Sequence, residues 1–165
     1  MKLGRIIRHL LITRWHVGLT FPPRTLRAIE KAVRDSHKEH IGQVRFVVEG
    51  ALHITALLHG LSARERAIDV FSELRVWDTE HNNGVLVYLL LADRDVEIIA
   101  DRGVNARVRG ADWQAICHNM EVDFRGGNYE AGAIRGIGEV TELLKKHFPV
   151  QQEREDELPS KPAIL

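Results

Sequence analysis

One cysteine, Cys117, stands in 165 residues. A single thiol excludes an internal disulfide framework and a cysteine-built zinc site, and it suits a reducing, cytoplasmic compartment. Neither sign of charge is in excess: 23 Lys and Arg balance 23 Asp and Glu. A dedicated nucleic-acid binder needs a basic surplus for phosphate contacts, so no nucleic-acid partner is expected. No apolar run reaches 18 residues, so no transmembrane helix is expected. A cleavable signal peptide is not expected either. Arg8 and His9 interrupt the N-terminal apolar run, and bulky Trp15 and His16 follow where small residues would be needed. The chain carries no phosphate-binding P-loop, no dinucleotide fingerprint and no Ser-His-Asp order. What remains is an ordinary globular composition, 44% hydrophobic and 28% charged, of single-domain length.

Residues 1–19 form a basic amphipathic segment. Residues 1–16 hold Lys2, Arg5, Arg8 and Arg14 and no acid, while Leu3, Ile6, Ile7, Leu10 and Leu11 fall at helical spacing. Two readings stand: a helix packed on the protein's own core, or a helix lying on a membrane surface or a partner. The second places the chain peripheral to the inner membrane. Pro22 and Pro23 open a helix that continues to about His40. Val44-Arg45-Phe46-Val47-Val48 reads as a buried strand, and residues 51–60 are ambiguous. Ser62-Ala63-Arg64-Glu65 is a capping box starting a helix to about Val76. Val85 to Leu91 is apolar without alternation, a strand covered on both faces. A turn at Ala92-Asp93-Arg94-Asp95 returns the chain as strand Val96 to Ala100. Trp113, Ile116, Met120 and Phe124 form one helical stripe, and Tyr129 to Phe148 a second long helix. Residues 150–165, with four acids and two prolines, are expected to be disordered.

The expected fold class is therefore α/β. A small mixed sheet lies between helical layers, built from one right-handed parallel β-α-β crossover plus an antiparallel hairpin. The domain proper spans 20–149. Strand direction brings the loop before residue 85 and the residues after residue 100 to one end of the sheet. Asp78, Asn82 and Asn83 should meet Asp101 and Arg102 there, with Trp77 as a wall. Oxygen-rich side chains suit a hard cation, and an arginine suits a phosphate. Asp78, Asp101 and Arg102 are thus the candidate catalytic residues. Asp78, Asn82, Asn83 and Asp101 are the candidate ligands for Ca²⁺ or Mg²⁺. The alternative is structural: a solvated turn allowed by Asn and Gly, and an Asp101 cap on a short helix near Val104. Glu49 should lie at the opposite end. His37 and His40, with charged residues between them, read as a solvated face. Cys117 reads as an inert core thiol, and the small residues from Gly132 to Gly136 as a close helix–helix contact.

Asn82-Asn83-Gly84-Val85, the acidic turn, Val96 to Gly103, Trp113, Phe124, Tyr129 with Gly132, and Leu144 to Pro149 together resemble the TPM domain. That family takes its name from thylakoid-lumen, photosystem II and acetylcholine-receptor-regulating founders. The resemblance covers about residues 20–149. It implies an α/β sandwich, with acid phosphatase activity in some members, calcium binding in others and no established activity in the rest. It also implies a LemA-like membrane protein as a partner. Family members typically place an Asp before the first core helix and Asp-Asn-Gly at the loop. Residues 15–23 hold no Asp, and Asn82 stands in the loop. Two family carboxylates are thereby absent. The leading expectation is a non-catalytic interaction or regulatory module. A divalent-metal-dependent phosphomonoesterase and a calcium-binding structural module are the alternatives.

Overall fold

The computed structural model describes residues 2–150 and 156–165. Its elements run α1 (Lys2–Leu11), α2 (Arg14–Thr20), α3 (Pro23–Ser36), β1 (Gln43–Glu49), α4 (Ile54–Leu58), α5 (Ala63–Glu73), β2 (Gly84–Leu90), β3 (Asp95–Ala100), α6 (Arg102–Asn105), α7 (Gly110–Arg125), α8 (Tyr129–His147) and β4 (Ala163–Ile164). The sheet order is β3-β2-β1-β4. β1 is parallel to β2, with Gln43 opposite Gly84, and parallel to β4. β2 and β3 are antiparallel, with Val85 opposite Ala100. The protein is thus a mixed α/β fold around an open sheet.

Every residue of β2 is buried, and its alternate side chains enter two separate cores. Val85, Val87 and Leu89 join Phe46, Val48 and Ile98 beneath α3, α7 and α8. Leu86, Tyr88 and Leu90 join Val47, Ala67 and Val70 on the other face, beneath α4 and α5. A strand without polar alternation therefore receives cover on both sides. The Ser62 box starts α5 as expected: Glu65 N donates to Ser62 Oγ (3.1 Å), and Ser62 N donates to Glu65 Oε2 (2.8 Å). Such a cap is worth about 1 kcal/mol. At the α7–α8 contact, a Cβ on Gly132 would come within 2.7 Å of Asp123 Cβ and 2.9 Å of Phe124 Cε1, so the helices approach through glycine.

The N-terminal helix is pinned to the β2–β3 turn. Asp93 receives Arg5 Nε (2.8 Å) and Arg8 Nη2 (3.2 Å), and His9 Nε2 lies 3.1 Å away. His9 Nδ1 accepts from the Leu52 amide at 3.0 Å. Burial outweighs the attraction of Asp93 and lowers the His9 pKa. Burial would raise Asp93, but hydrogen bonds from Arg5 and His9 prevail and hold it below the usual carboxylate range. Asp93 is therefore more than a turn residue.

Two expectations are corrected. The composition of the tail predicts disorder, yet residues 156–165 carry β4, and Leu158 is only 7% exposed in the core beneath α5. Hydrogen bonds offset the polar composition. Arg45 Nη1 donates to the carbonyls of Pro159 and Lys161, both at 2.6 Å, and Gln43 Oε1 accepts from the Glu157 and Leu158 amides. The part of that expectation falling on 151–155 lies outside the described residues. His37 and His40 are likewise not a solvated face. His40 is 1% exposed and shares a 2.7 Å bond with Ser36 Oγ. His37 Nε2 accepts from the Val44 amide (2.9 Å), and its Nδ1 lies 3.1 Å from Asp156 Oδ1. The turn between α3 and β1 folds both rings inward, where they tie helix, strand and tail together.

Candidate functional site

The loop between α5 and β2 meets α6 at one end of the sheet. Asn82 adopts a left-handed conformation (φ 51°), which asparagine tolerates better than most residues. Its carbonyl accepts from the Gly103 amide at 3.1 Å, and its Oδ1 accepts from Arg102 Nε at 3.2 Å. A Cβ at Gly103 would stand 2.5 Å from the Asn82 carbonyl oxygen, so glycine permits this approach. The Asp101 amide donates to Gly84 O at 2.9 Å, which continues the β2–β3 ladder into the site. Asp101 then caps α6, its Oδ1 accepting from the Arg102 amide at 2.7 Å.

Asn83 is fully buried. Its Nδ2 donates to Ile41 O (2.5 Å), its amide donates to Thr79 Oγ1 (3.0 Å), and its carbonyl accepts from the Gln43 amide (3.0 Å). It thereby locks the start of β2 to the entry of β1. Among the described residues, two oxygens at this end are buried without a hydrogen-bond partner: Asn83 Oδ1 and Asp101 Oδ2. Asn82, Asn83, Asp101 and Arg102 are thus brought to one end of the sheet. Asp78 is different. It is exposed in the turn after α5, its amide donating to Arg75 O at 2.9 Å, and its side chain makes no bond to that group among the described residues. Trp77 is exposed beside it.

Sequence reasoning missed two groupings. Glu49, at the far end of β1, accepts from Tyr88 Oη (2.8 Å) and from Arg66 Nε (2.9 Å). Burial, then the Glu49 charge, raises the Tyr88 pKa far above that of a free phenol, so it stays a hydrogen donor. The signal was available: a lone Tyr in an apolar strand needs a partner. Along the outer edge of β3, a cavity collects Asp95, Glu97, Glu121 and Trp113. Burial and then the Glu121 and Glu97 charges raise Asp95 to about 6, and burial pushes the Cys117 thiol up to about 12. A thiol so disposed is no nucleophile at neutral pH. Among the described residues no three His, Cys, Asp or Glu side chains are grouped to hold a metal ion.

An open mixed sheet with helices on both faces, and an Asn-Asn-Gly loop clasped to an Asp-capped helix, defines an α/β sandwich. The model of the TPM domain family matches residues 19–143, and the chain belongs to that family. The NMR structure of the BA42 protein from the psychrophilic bacterium Bizionia argentinensis is similar, at 30% identity with a TM-score of 0.76. That match covers 86% of this chain and 93% of the other. The solution structure of the N-terminal domain of a protein from P. gingivalis shares the fold at 21% identity, with a TM-score of 0.56. It covers 76% of this chain and 74% of the other. No curated protein matches.

Proposed function

We propose that this TPM-family chain works as a non-catalytic interaction or regulatory module with a membrane-associated partner. The observation that carries this reading is how the candidate site spends its polar groups. Asn82 Oδ1 is bonded to Arg102, the Asn83 amide nitrogen to the Ile41 carbonyl, and Asp101 Oδ1 to the first amide of α6. Arg102 is held to the loop through its Nε, and Asp78 adds no bond to the cluster among the described residues. These residues fasten β2, β3 and α6 to one another. A LemA-like membrane protein remains the partner that the family resemblance suggests. The test is turnover of a generic phosphomonoester by the full chain with Ca²⁺, Mg²⁺, Mn²⁺ or Zn²⁺ present. The expected rate equals the buffer rate for wild type, Asp78→Asn and Asp101→Asn alike. A wild-type rate that falls with Asp101→Asn would make the protein a phosphomonoesterase.

A second reading rests on Asn83 Oδ1 and Asp101 Oδ2. Carboxylate and amide oxygens are the donors a hard cation takes, and these two are buried without a partner among the described residues. Calcium takes six to eight oxygens, whereas Mg²⁺ keeps most of its waters and needs one or two carboxylates. Calorimetric titration with Mg²⁺ and Ca²⁺ decides it: heat that disappears in Asp101→Asn supports a bound ion, and no heat removes this reading.

A further inference from the structure

The described surface holds one large apolar tract that the function above leaves unused, on α1 and α2. Leu3, Ile7, Leu10 and Leu11 are exposed along one side of α1, Leu10 at 64%. Trp15 (69% exposed) and Leu19 follow Leu11 at four-residue spacing. The opposite side of α1 is already occupied: Ile6 packs on the core beneath α5, and Arg5 and His9 hold Asp93. The helix is therefore held in place with its second apolar face turned out.

Charge is segregated onto the same end of the chain. Residues 1–29 contain Lys2, Arg5, Arg8, Arg14, Arg24 and Arg27 and no acid, leaving 17 bases against 23 acids in the rest. Beside the apolar face runs a groove lined by Arg8, Leu11, Ile12, Asp93, Arg94 and Arg125, where Arg8 pairs with Asp93 and Arg125 with Glu121. Three guanidinium groups thus flank the exposed leucines. Arg94 makes no ion pair among the described residues.

Resting on the reading of the chain as an interaction module, we infer that the α1–α2 face binds an anionic lipid bilayer surface. Leucine and tryptophan side chains would enter the headgroup boundary, and the arginines would meet lipid phosphates; a helix of this make-up lies in the interface plane. Charge complementarity selects this occupant over a second copy, because two such faces would set Arg8, Arg14, Arg94 and Arg125 of one copy against the same groups of the other. The attraction to anionic lipid is screened within about 10 Å at 0.1 M salt, so binding must weaken as salt rises.

The experiment is co-sedimentation of the full chain with phosphatidylglycerol–phosphatidylcholine vesicles and with pure phosphatidylcholine vesicles. At least tenfold stronger partition to the anionic vesicles is expected, with most of it lost at 0.5 M salt. Leu10→Glu combined with Trp15→Glu should abolish it while leaving the melting temperature unchanged, since both side chains are exposed. Arg94→Glu should weaken it several-fold. Equal partition to both vesicle types, or no binding to either, overturns the inference. So does a vesicle-free dimer that the Leu10→Glu and Trp15→Glu changes dissociate, which would assign the face to a second copy. None of these outcomes touches the non-catalytic reading, which stands or falls on Asp101-dependent phosphomonoester turnover.

Discussion

His40 makes the stability of this fold depend on acid. Its ring is 1% exposed, bonded to Ser36 Oγ at 2.7 Å and set edge-on to His37 at 6.3 Å. Burial first, and then the neighbouring His37, lowers its pKa from 6.5 to about 4. The sign follows directly. Between these values the unfolded chain binds a proton that the folded chain refuses, so stability is complete above about pH 6.5 and drains away as pH falls towards 4. A gap of about 2.5 pH units corresponds to about 3 kcal/mol. For a chain of this size that is about 6–12 °C in melting temperature. Many carboxylates also titrate below pH 5, so the assay must be differential. His40→Gln keeps a polar partner for Ser36 and cannot titrate in this range. Chemical denaturation at pH 7 should find the wild type more stable than the variant. By pH 4 that advantage should shrink by about 3 kcal/mol. A wild-type advantage that stays constant from pH 7 to pH 4 refutes the argument.

Leu158→Ala should cost about 2–3 kcal/mol in denaturant unfolding, because the side chain is buried in the core beneath α5; a loss under 0.5 kcal/mol would mean that the tail does not dock there. Gly103→Ala should lower stability by about 1–3 kcal/mol, since the new Cβ would stand 2.5 Å from a backbone oxygen that cannot rotate away; thermal melting reads it, and a neutral result would deny the clasp. Glu49→Gln should cost about 1–2 kcal/mol in chemical denaturation, because Arg66 keeps Glu73 and Gln still accepts from Tyr88; an unchanged stability would deny the Glu49–Arg66 bond a role.

Most of the framework is legible in the residues. The apolar run Val85–Leu91 demands two covered faces, the Ser62–Glu65 box starts a helix, and the hairpin after Leu91 sets the β2–β3 direction. The contact of Asn82 with Arg102 and Gly103 follows from strand direction, whereas Asn83 turns to Ile41, Thr79 and Gln43 on the β1 side. Asp78 could not be placed the same way, because a turn of several residues before a strand has its own geometry. The tail failed for a different reason. Its composition signals disorder, but Leu158 and two carbonyls facing Arg45 supply a few long-range contacts that composition averages away. His37 and His40 failed because charged neighbours imply a solvated helix, whereas the chain has already left the helix and turned inward at His37. The N-terminal helix follows the first of its readings on one face, which packs on the core, while its other face is exposed.

On the reading proposed above, Asp101 and its neighbours fasten the fold rather than run a metal-dependent reaction. Thermal melting of wild type and Asp101→Asn, with and without millimolar Ca²⁺ or Mg²⁺, tests it most directly. Asn caps a helix about as well as Asp, so the variant should stay within about 0.5 kcal/mol of wild type, by the same margin in every buffer. An ion at a hundredfold excess over its Kd would add about 2.7 kcal/mol to whichever protein binds it. If that gain appears in wild type and vanishes in Asp101→Asn, the site holds a metal and the account is wrong.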